Sequence, residues 1–469
     1  MNVLLIRPNF QGQTMAKVMP LGLLAIGSVL KREGHHVRIL DLRVSDRPDA
    51  DLKDAVTEFR PDVAGVGLMT IESDFAFAAA AKIKALNKDI PVVFGGPHCA
   101  HEPRFILHDP NVDFMVVGEG ERTILELLQA LRGQGDLDAV QGIAYRKNGT
   151  YVKTPAREPI QDQDSLEQEY ELLDVERYFK FQSSHDFLPS TSRFMPIVTS
   201  RGCPFTCTYC HDIFGKSIRY RSPGAVLEEM RFLKEKYDVR EFQILDDSFN
   251  IDMKRAKHIF SLIAQRRWDV KISFPNGVRA DYIDAEMVQK MKEAGVYRLA
   301  LGIESGSLKI QKQISKSLDI GILKDVVRMV SGAGISVHGF FMLGFPGESK
   351  EEMRRTIDFA CELDLSTANF SLVIPNPGTR LRAEVLEEGE AANRDFSQYS
   401  ITDVNSNASQ ATSEELIALR RLAYRKFYFN PRRVWNILQT TRSKTLLLKK
   451  FLALLKLTNS WPRRLSYQS

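Results

Sequence analysis

Three cysteines in one short loop carry the clearest chemistry in this sequence: Cys203, Cys207 and Cys210, spaced C-x3-C-x2-C. An apolar strand around Ile197-Val198 runs into them through Thr199-Ser200-Arg201-Gly202. Thiolates at this density bind soft metal, either zinc or an iron–sulfur cluster. A structural zinc site takes four protein ligands, and the nearby fourth candidate, His211, is too close to Cys210 to suit that geometry. Three thiolates on a four-iron cluster leave one iron open to a small molecule. With five cysteines in all, the chain cannot pair every one, which argues for a reduced compartment and against a disulfide framework. Cys99 and Cys361 stand singly and read as packing residues.

Such a loop needs a frame. Residues 1–140 read as short apolar strands alternating with helices: strands at Val3–Ile6, Val37–Leu40, Val63–Leu68, Val92–Phe94 and Phe114–Val117, and helices at Leu21–Arg32, Phe75–Leu86, Pro103–Leu107 and Glu121–Leu131. This alternation predicts a Rossmann-like, doubly wound parallel sheet in an α/β protein. Such sheets bind ligands beyond the carboxyl ends of their strands. Glycine collects there: Gly65 and Gly67, then Gly95-Gly96-Pro97-His98, then Gly118-Glu119-Gly120-Glu121. Three such loops on one edge let a large ligand approach the backbone closely. No G-x-G-x-x-G follows the first strand, so the dinucleotide fingerprint is missing. His35, His36 and His98 occupy turn positions and take no metal role.

The cysteine loop, with aromatic Tyr209 before its last cysteine, resembles the signature of the radical S-adenosylmethionine (SAM) family. Later segments match that family in order: Phe242–Asp247 followed by Ser248-Phe249, Ile272–Arg279, LALGIESG at 299–306, GFFMLGFPGE at 339–348 and LVIPNPGT at 372–379. Helices at Pro223–Tyr237, Met253–Arg266 and Ala285–Ala294 separate them. The resemblance implies a partial (βα)6 barrel, a 4Fe–4S cluster on Cys203, Cys207 and Cys210, and SAM beside Tyr209, Asp246, Asp247, Ser273, Arg279 and Glu304. A Rossmann-like module ahead of such a barrel resembles the cobalamin-binding class of the family. That implies corrin contacts at Met69, Thr70, Gly95, Gly96, His98, Gly118 and Glu119. The D-x-H-x-x-G motif that supplies a histidine to cobalt in many cobalamin proteins is absent, as it is in many members of this class.

The activity implied is radical chemistry started by reductive cleavage of SAM, with an external donor of flavodoxin or ferredoxin type. Methylation of an unactivated carbon in a hydrophobic small molecule is the first reading. Oxidoreduction or cyclisation without methyl transfer, in tetrapyrrole or lipid biosynthesis, is the alternative. A non-catalytic zinc-binding module is the reading from another class.

Charge sets the tail apart. The chain has 469 residues and a formal charge of +5, yet from Leu416 onward it carries 13 basic residues and no acidic one. The preceding part holds 51 basic against 59 acidic residues. Thr412-Ser413-Glu414-Glu415 signals a helix start. Farther on, SKTLLLKKFLALLKL at 443–457, flanked by Trp435 and Trp461, forms an amphipathic pattern that either lies in a membrane interface or packs its leucines on the barrel. No recognisable nucleic-acid motif accompanies the basic residues. Lacking an apolar run of the ~18 residues needed to span a bilayer and a signal peptide at MNVLLIRPNF, the chain reads as cytoplasmic, with contact at the cytoplasmic face of a membrane as the tail's option. The expected units are 1–140 (cobalamin-binding), 141–190 (linker and hairpin), 191–390 (radical SAM barrel) and 391–469 (basic helical tail).

Overall fold

The structure is a computed structural model, and it describes residues 1–9, 17–101, 103–181, 189–386, 407–431, 433 and 434. Its first sheet has seven strands: β1 (Asn2–Arg7), β2 (His36–Asp41), β3 (Val63–Gly67), β4 (Val92–Gly95), β5 (Phe114–Val116), β6 (Ile143–Lys147) and β7 (Thr150–Lys153), in the order β2-β1-β3-β4-β5-β6-β7. Val3 to Ile6 are all buried, a continuous apolar run as a central parallel strand covered on both faces requires. Strands β1 to β5 are parallel, as expected. The β6–β7 hairpin turns at Asn148-Gly149, both with positive φ (51° and 78°), the geometry a two-residue hairpin turn favours. It adds to β5 antiparallel, with Phe114 opposite Tyr145, and so extends this sheet. In this sheet's module the helix Pro48–Phe59 was not anticipated; it buries only Leu52, Ala55 and Val56.

The second sheet has six parallel strands: β8 (Phe194–Ile197), β11 (Glu241–Ile244), β12 (Lys271–Val278), β13 (Val296–Glu304), β14 (Ser336–Leu343) and β15 (Thr367–Leu372), in that spatial order. A short antiparallel pair, β9 (Ser200–Arg201) and β10 (Arg219–Tyr220), brackets the cysteine loop. Helices Pro223–Tyr237, Met253–Gln265, Ala285–Glu293, Ile320–Gly332 and Lys350–Glu362 fall between successive strands of the six, giving the expected partial (βα)6 arrangement. The last strand comes earlier than its motif suggested. LVIPNPGT begins only at the end of β15 and continues as a loop, because Pro375 and Pro377 have no N–H for a ladder.

One hydrophobic core joins the two sheets. It includes Met19, Leu24 and Val44 from the first module, Tyr170, Tyr178 and Phe179 from the connecting segment, and Leu227, Met230 and Phe242 from the barrel. Tyr178 donates its hydroxyl to Asp41 at 2.8 Å, and Tyr170 donates to Glu229 at 2.5 Å. The connecting segment is thus pinned to both neighbours.

The helix Ser413–Tyr428 starts with the capping box foreseen from sequence, Thr412 with Glu415. It lies along the free edge of β15, where Tyr428 donates to the Ala368 carbonyl at 2.8 Å and accepts from the Ala368 N–H at 3.0 Å. Tyr424 accepts from Phe370 N–H at 3.2 Å. These hydroxyls satisfy an edge that would otherwise invite pairing with another chain. Among the described residues no helix is long and apolar enough to cross a membrane. The amphipathic stretch 443–457, with Trp435 and Trp461, lies outside the described residues.

Candidate active site

The cysteine loop leaves β8, and its shape is set residue by residue. Gly202 adopts φ 99°, and a β-carbon there would collide with the Ser217 carbonyl, so no other residue fits. Cys203 N–H donates to Gly215 O at 3.2 Å and Cys210 N–H to Cys207 O at 3.3 Å. Thr208 N–H donates to Ile314 O at 3.0 Å, and Leu381 N–H to Thr208 O at 2.8 Å, tying the loop to both sides of the barrel mouth. All three thiols are free; Cys203 and Cys207 are half-buried and Cys210 is exposed. Protein bulk and the neighbouring Cys207 and Cys203 thiolates push Cys210 up to about 11. Among the described residues, no three His, Cys, Asp or Glu side chains stand assembled as a metal-binding set. The loop nonetheless offers three sulfur donors and no fourth, the donor set a four-iron cluster with one open iron needs.

Of the residues expected around SAM, Tyr209 and Glu304 meet at Lys316. The Lys316 ammonium lies 3.1 Å from the Glu304 carboxylate and 3.2 Å from the Tyr209 hydroxyl. Desolvation and the Glu304 charge push the Tyr209 phenol far above its usual range. Glu304 sits at a β-bulge with φ 66°, and Ser315 and Ser317 flank Lys316 at 52° and 50°. Non-glycine residues held in this region cost about 1–3 kcal/mol each and gather at functional sites. Nearby in sequence to Asp246, the Ser248 hydroxyl is buried and has no hydrogen-bond partner, an orphaned polar atom at the strand end where a ligand amine was expected. Asp247 faces His211; desolvation pushes its carboxyl up, and the histidine draws it part of the way back.

The other three take different places. Both oxygens of Asp246 are engaged at 2.6 Å by Thr199 N–H, Thr199 hydroxyl and Ser200 hydroxyl, so it fixes the lead-in to the loop. Arg279 donates to Lys316 O at 2.9 Å and Ser317 O at 3.1 Å, while its guanidinium stacks 4.0 Å from the Phe205 ring. It braces the cysteine loop rather than standing open to a carboxylate. Ser273 is in the third position of β12, opposite Gln243, level with Pro196 one residue before the end of β8. Its hydroxyl, like that of Ser248, is buried and has no hydrogen-bond partner.

On the corrin side, the candidates also divide. Met69 is 42% exposed, a β-carbon at Gly118 would meet nothing within 4 Å, and Gly95 leaves similar room. Met69 follows β3, Gly95 ends β4 and Gly118 follows β5, so the three lie at neighbouring strand ends. Gly96, with φ 120°, makes the turn, since a β-carbon would press on Leu68 O at 2.7 Å. His98 is fully buried and its Nδ1 lies 3.1 Å from the Thr70 hydroxyl, so this pair serves the loop's own structure. Burial, with His101 and Arg382 nearby, pulls the His98 imidazole down to about 4. Glu119 is also turned inward. It accepts from Ile160 N–H at 2.8 Å and pairs with Arg219 at 2.7 Å, while Glu121 pairs with Arg201 at 2.6 Å. Burial works against the Arg201 charge, but Glu121 and Glu119 outweigh it and hold the guanidinium above its usual range.

Arg201, Arg219, Lys316 and Ser248 were not singled out from sequence. Adjacency to Cys203 was the available signal for Arg201; Lys316 meets Glu304 only through the fold. The GFPGE turn holds one more distinctive group. Glu348 is fully buried, accepts from Gly344 N–H at 2.7 Å and Phe345 N–H at 3.0 Å, and is pushed up to about 7 by burial. At Glu348 the folded state therefore binds a proton that the unfolded chain releases, so this group's contribution to stability is lost as pH rises from about 4.5 through about 7. That contribution amounts to about 3 kcal/mol, and the stability difference between wild type and Glu348→Gln is expected to change by that amount in wild type's disfavour between pH 5 and 8, read in paired melting curves.

Fold and loop together define a two-module α/β enzyme with a three-thiol loop at the mouth of a partial barrel. Residues 197–360 match the radical SAM superfamily, and residues 14–128 match the B12 binding domain. An uncharacterised methyltransferase of Pyrococcus horikoshii is 34% identical over 417 residues, covering 88% of each chain. The cytidylyl-2-hydroxyethylphosphonate methyltransferase of Streptomyces wedmorensis is 29% identical, covering 82% of each. The fold is similar to that of the radical S-adenosylmethionine methyltransferase TsrM from Kitasatospora setae with cobalamin and a 4Fe–4S cluster bound: TM-score 0.71, 21% identity, 82% of this chain and 78% of that one. The chain belongs to the radical SAM superfamily, within the group that carries a B12 binding domain.

Proposed function

We propose that this enzyme is a cobalamin-dependent radical SAM methyltransferase acting on an unactivated carbon of a small molecule. The observation that carries this is the meeting of the cysteine loop with the glycine-rich edge of the B12-binding module, joined there by buried ion pairs. Cys203, Cys207 and Cys210 would hold the cluster, and Met69, Gly95 and Gly118 would face the corrin. When bound, these groups and SAM supply one-electron reduction, radical initiation and a transferable methyl group.

The chain's own residues position and shield. Glu304, neutralised by Lys316, offers an acceptor for ribose hydroxyls or an amine, and the Ser248 hydroxyl offers a second polar contact. Tyr209 packs 5.9 Å from Phe345 and closes one side of the loop against water. Arg279 keeps Phe205, and with it the span between the first two cysteines, in register. Electrons come from an external flavodoxin or ferredoxin. Exposed Met69 favours an apolar substrate on the corrin edge, and the tail beyond residue 434 carries the proposed membrane contact. The proposed units are 1–140, 141–190, 191–390 and 391–469, although the 143–153 hairpin is built into the first sheet.

Anaerobic reconstitution with iron, sulfide and cobalamin, read by ultraviolet–visible absorption, tests the loading. Product mass tests the reaction: a gain of one CH2 with both S-adenosylhomocysteine and 5′-deoxyadenosine supports methylation. A mass loss of hydrogen without S-adenosylhomocysteine would overturn it in favour of oxidation or cyclisation.

A further inference from the structure

The B12-binding module and the cysteine loop are joined by four charged side chains that neither cofactor accounts for. Glu119 and Glu121 open the helix Gly120–Leu131 of the first module; Arg201 and Arg219 are partners across the β9–β10 pair that brackets the cysteines. Arg201 lies 2.6 Å from Glu121 and 3.5 Å from Glu119, and Arg219 lies 2.7 Å from Glu119. Side-chain exposure is 13% for Arg201, 3% for Arg219, 7% for Glu119 and 5% for Glu121. Arg219 also donates to Ile160 O at 2.8 Å and to Phe214 O at 2.9 Å, so it gathers the connecting segment and the far limb of the loop. The Arg201 guanidinium stands 5.4 Å from the Phe214 ring. Both limbs of the cysteine loop are therefore anchored to acidic residues of the other module.

We propose that Glu119, Glu121, Arg201 and Arg219 form an ionic latch through which the B12-binding module holds the cysteine loop ready for its cluster. They are positioning residues: their charges are taken up by one another, and they act by fixing the backbone on either side of Cys203, Cys207 and Cys210. The inference rests on the proposed function for the identity of the cofactors, but not for the latch itself. Buried pairs are costly to break because the surviving partner is left uncompensated, so neutralising one acid should loosen the loop that its arginine anchors.

The test uses the full chain. E121Q and E119Q are compared with wild type, with E121D, with the reversed pair E121R/R201E, and with E126Q as a control on the same helix. Amide hydrogen exchange is read first, before any metal or corrin is added. Exchange across residues 203–210 should accelerate about tenfold or more in E121Q, with the strands of both sheets unchanged. Iron and corrin per chain are then measured after anaerobic reconstitution. E121Q should retain less iron than wild type and the same corrin; E121D and the reversed pair should recover iron; E126Q should match wild type. Unchanged exchange and iron in E121Q overturn the latch. So does the opposite pattern, corrin lost and iron kept, which would make these acids direct corrin contacts. Exchange rising throughout E121Q would also overturn it, as global destabilisation. If wild type itself takes up neither group, the methyltransferase reading fails while the exchange comparison still decides the latch.

Discussion

Replacing Cys203, Cys207 or Cys210 by alanine, one at a time, is expected to reduce iron from about four per chain to background after anaerobic reconstitution. The fold should survive each change. No disulfide is lost, two of the thiols are half-buried and the third is exposed, so none anchors a core. Melting temperatures should shift by no more than about 1 kcal/mol in stability terms. Cys99→Ala provides the contrast. That thiol is fully buried in the core of the first sheet, and burial keeps it protonated, so the variant loses a little packing and keeps its iron. Iron and sulfide analysis with circular dichroism reads both outcomes. A C-to-A variant that keeps full iron would remove that cysteine from the ligand set, and a zinc content with no sulfide would replace the cluster by a structural metal.

Arg433→Ala is expected to lower stability by about 3 kcal/mol, because it removes one guanidinium that serves several main-chain carbonyls. This arginine looked from sequence like one more charge of a basic tail. In the structure it is 7% exposed and donates to Leu365 O at 3.2 Å, Phe427 O at 3.2 Å, Cys361 O at 2.9 Å and Leu363 O at 2.8 Å. Its guanidinium also covers the Phe427 ring at 3.8 Å. It thereby supplies donors to carbonyls around the end of the helix Lys350–Glu362 and the start of β15. Alanine leaves those acceptors unsatisfied, at about 1–3 kcal/mol for each one that water cannot reach. Lysine keeps the charge without the planar fork and should recover only part of the loss. Thermal melting of the three proteins measures this; wild-type stability in Arg433→Ala would show that the carbonyls are served by other donors. A secondary consequence is aggregation at lower temperature, as the C-terminal helix loosens from the β15 edge.

What sequence made legible was local. The strands announced themselves as short apolar runs, and the helix Leu21–Arg32 has the bounds expected from its apolar spacing and Gly34. The cysteine loop, its glycine and its aromatic were all readable, because ligand spacing is a property of adjacent residues. The helix Pro48–Phe59 was missed because its buried face is only three small or medium side chains among charged ones. Long-range pairings were illegible for a different reason. Glu119 reads as part of a glycine-rich ligand loop until Arg219, one hundred residues away, is seen against it. The neighbours of Ser273 are likewise set by register, which pairs it with Gln243. Asp246 and Arg279 sit where expected along the chain, yet Asp246 is taken up by Thr199 and Ser200 and Arg279 by the Lys316 and Ser317 carbonyls. Side-chain partners across the fold, more than elements, separate the residues that face a ligand from those that hold the frame.

The connecting segment with Tyr170 and Tyr178 carries an implication for how such enzymes can be recombined. Its aromatic side chains lie in a core shared by both modules, with Tyr178 bonded to Asp41 at the end of β2 and Tyr170 bonded to Glu229 on the first barrel helix. A chimera that exchanged the B12-binding module alone, cut after the hairpin, would present Tyr178 to a foreign strand end and strand its hydroxyl in an apolar seam. The heritable unit is therefore larger than the ligand-binding fold: a donor module must arrive together with its own version of residues 155–181, or with an acceptor matching Asp41, before the two halves can close on one another.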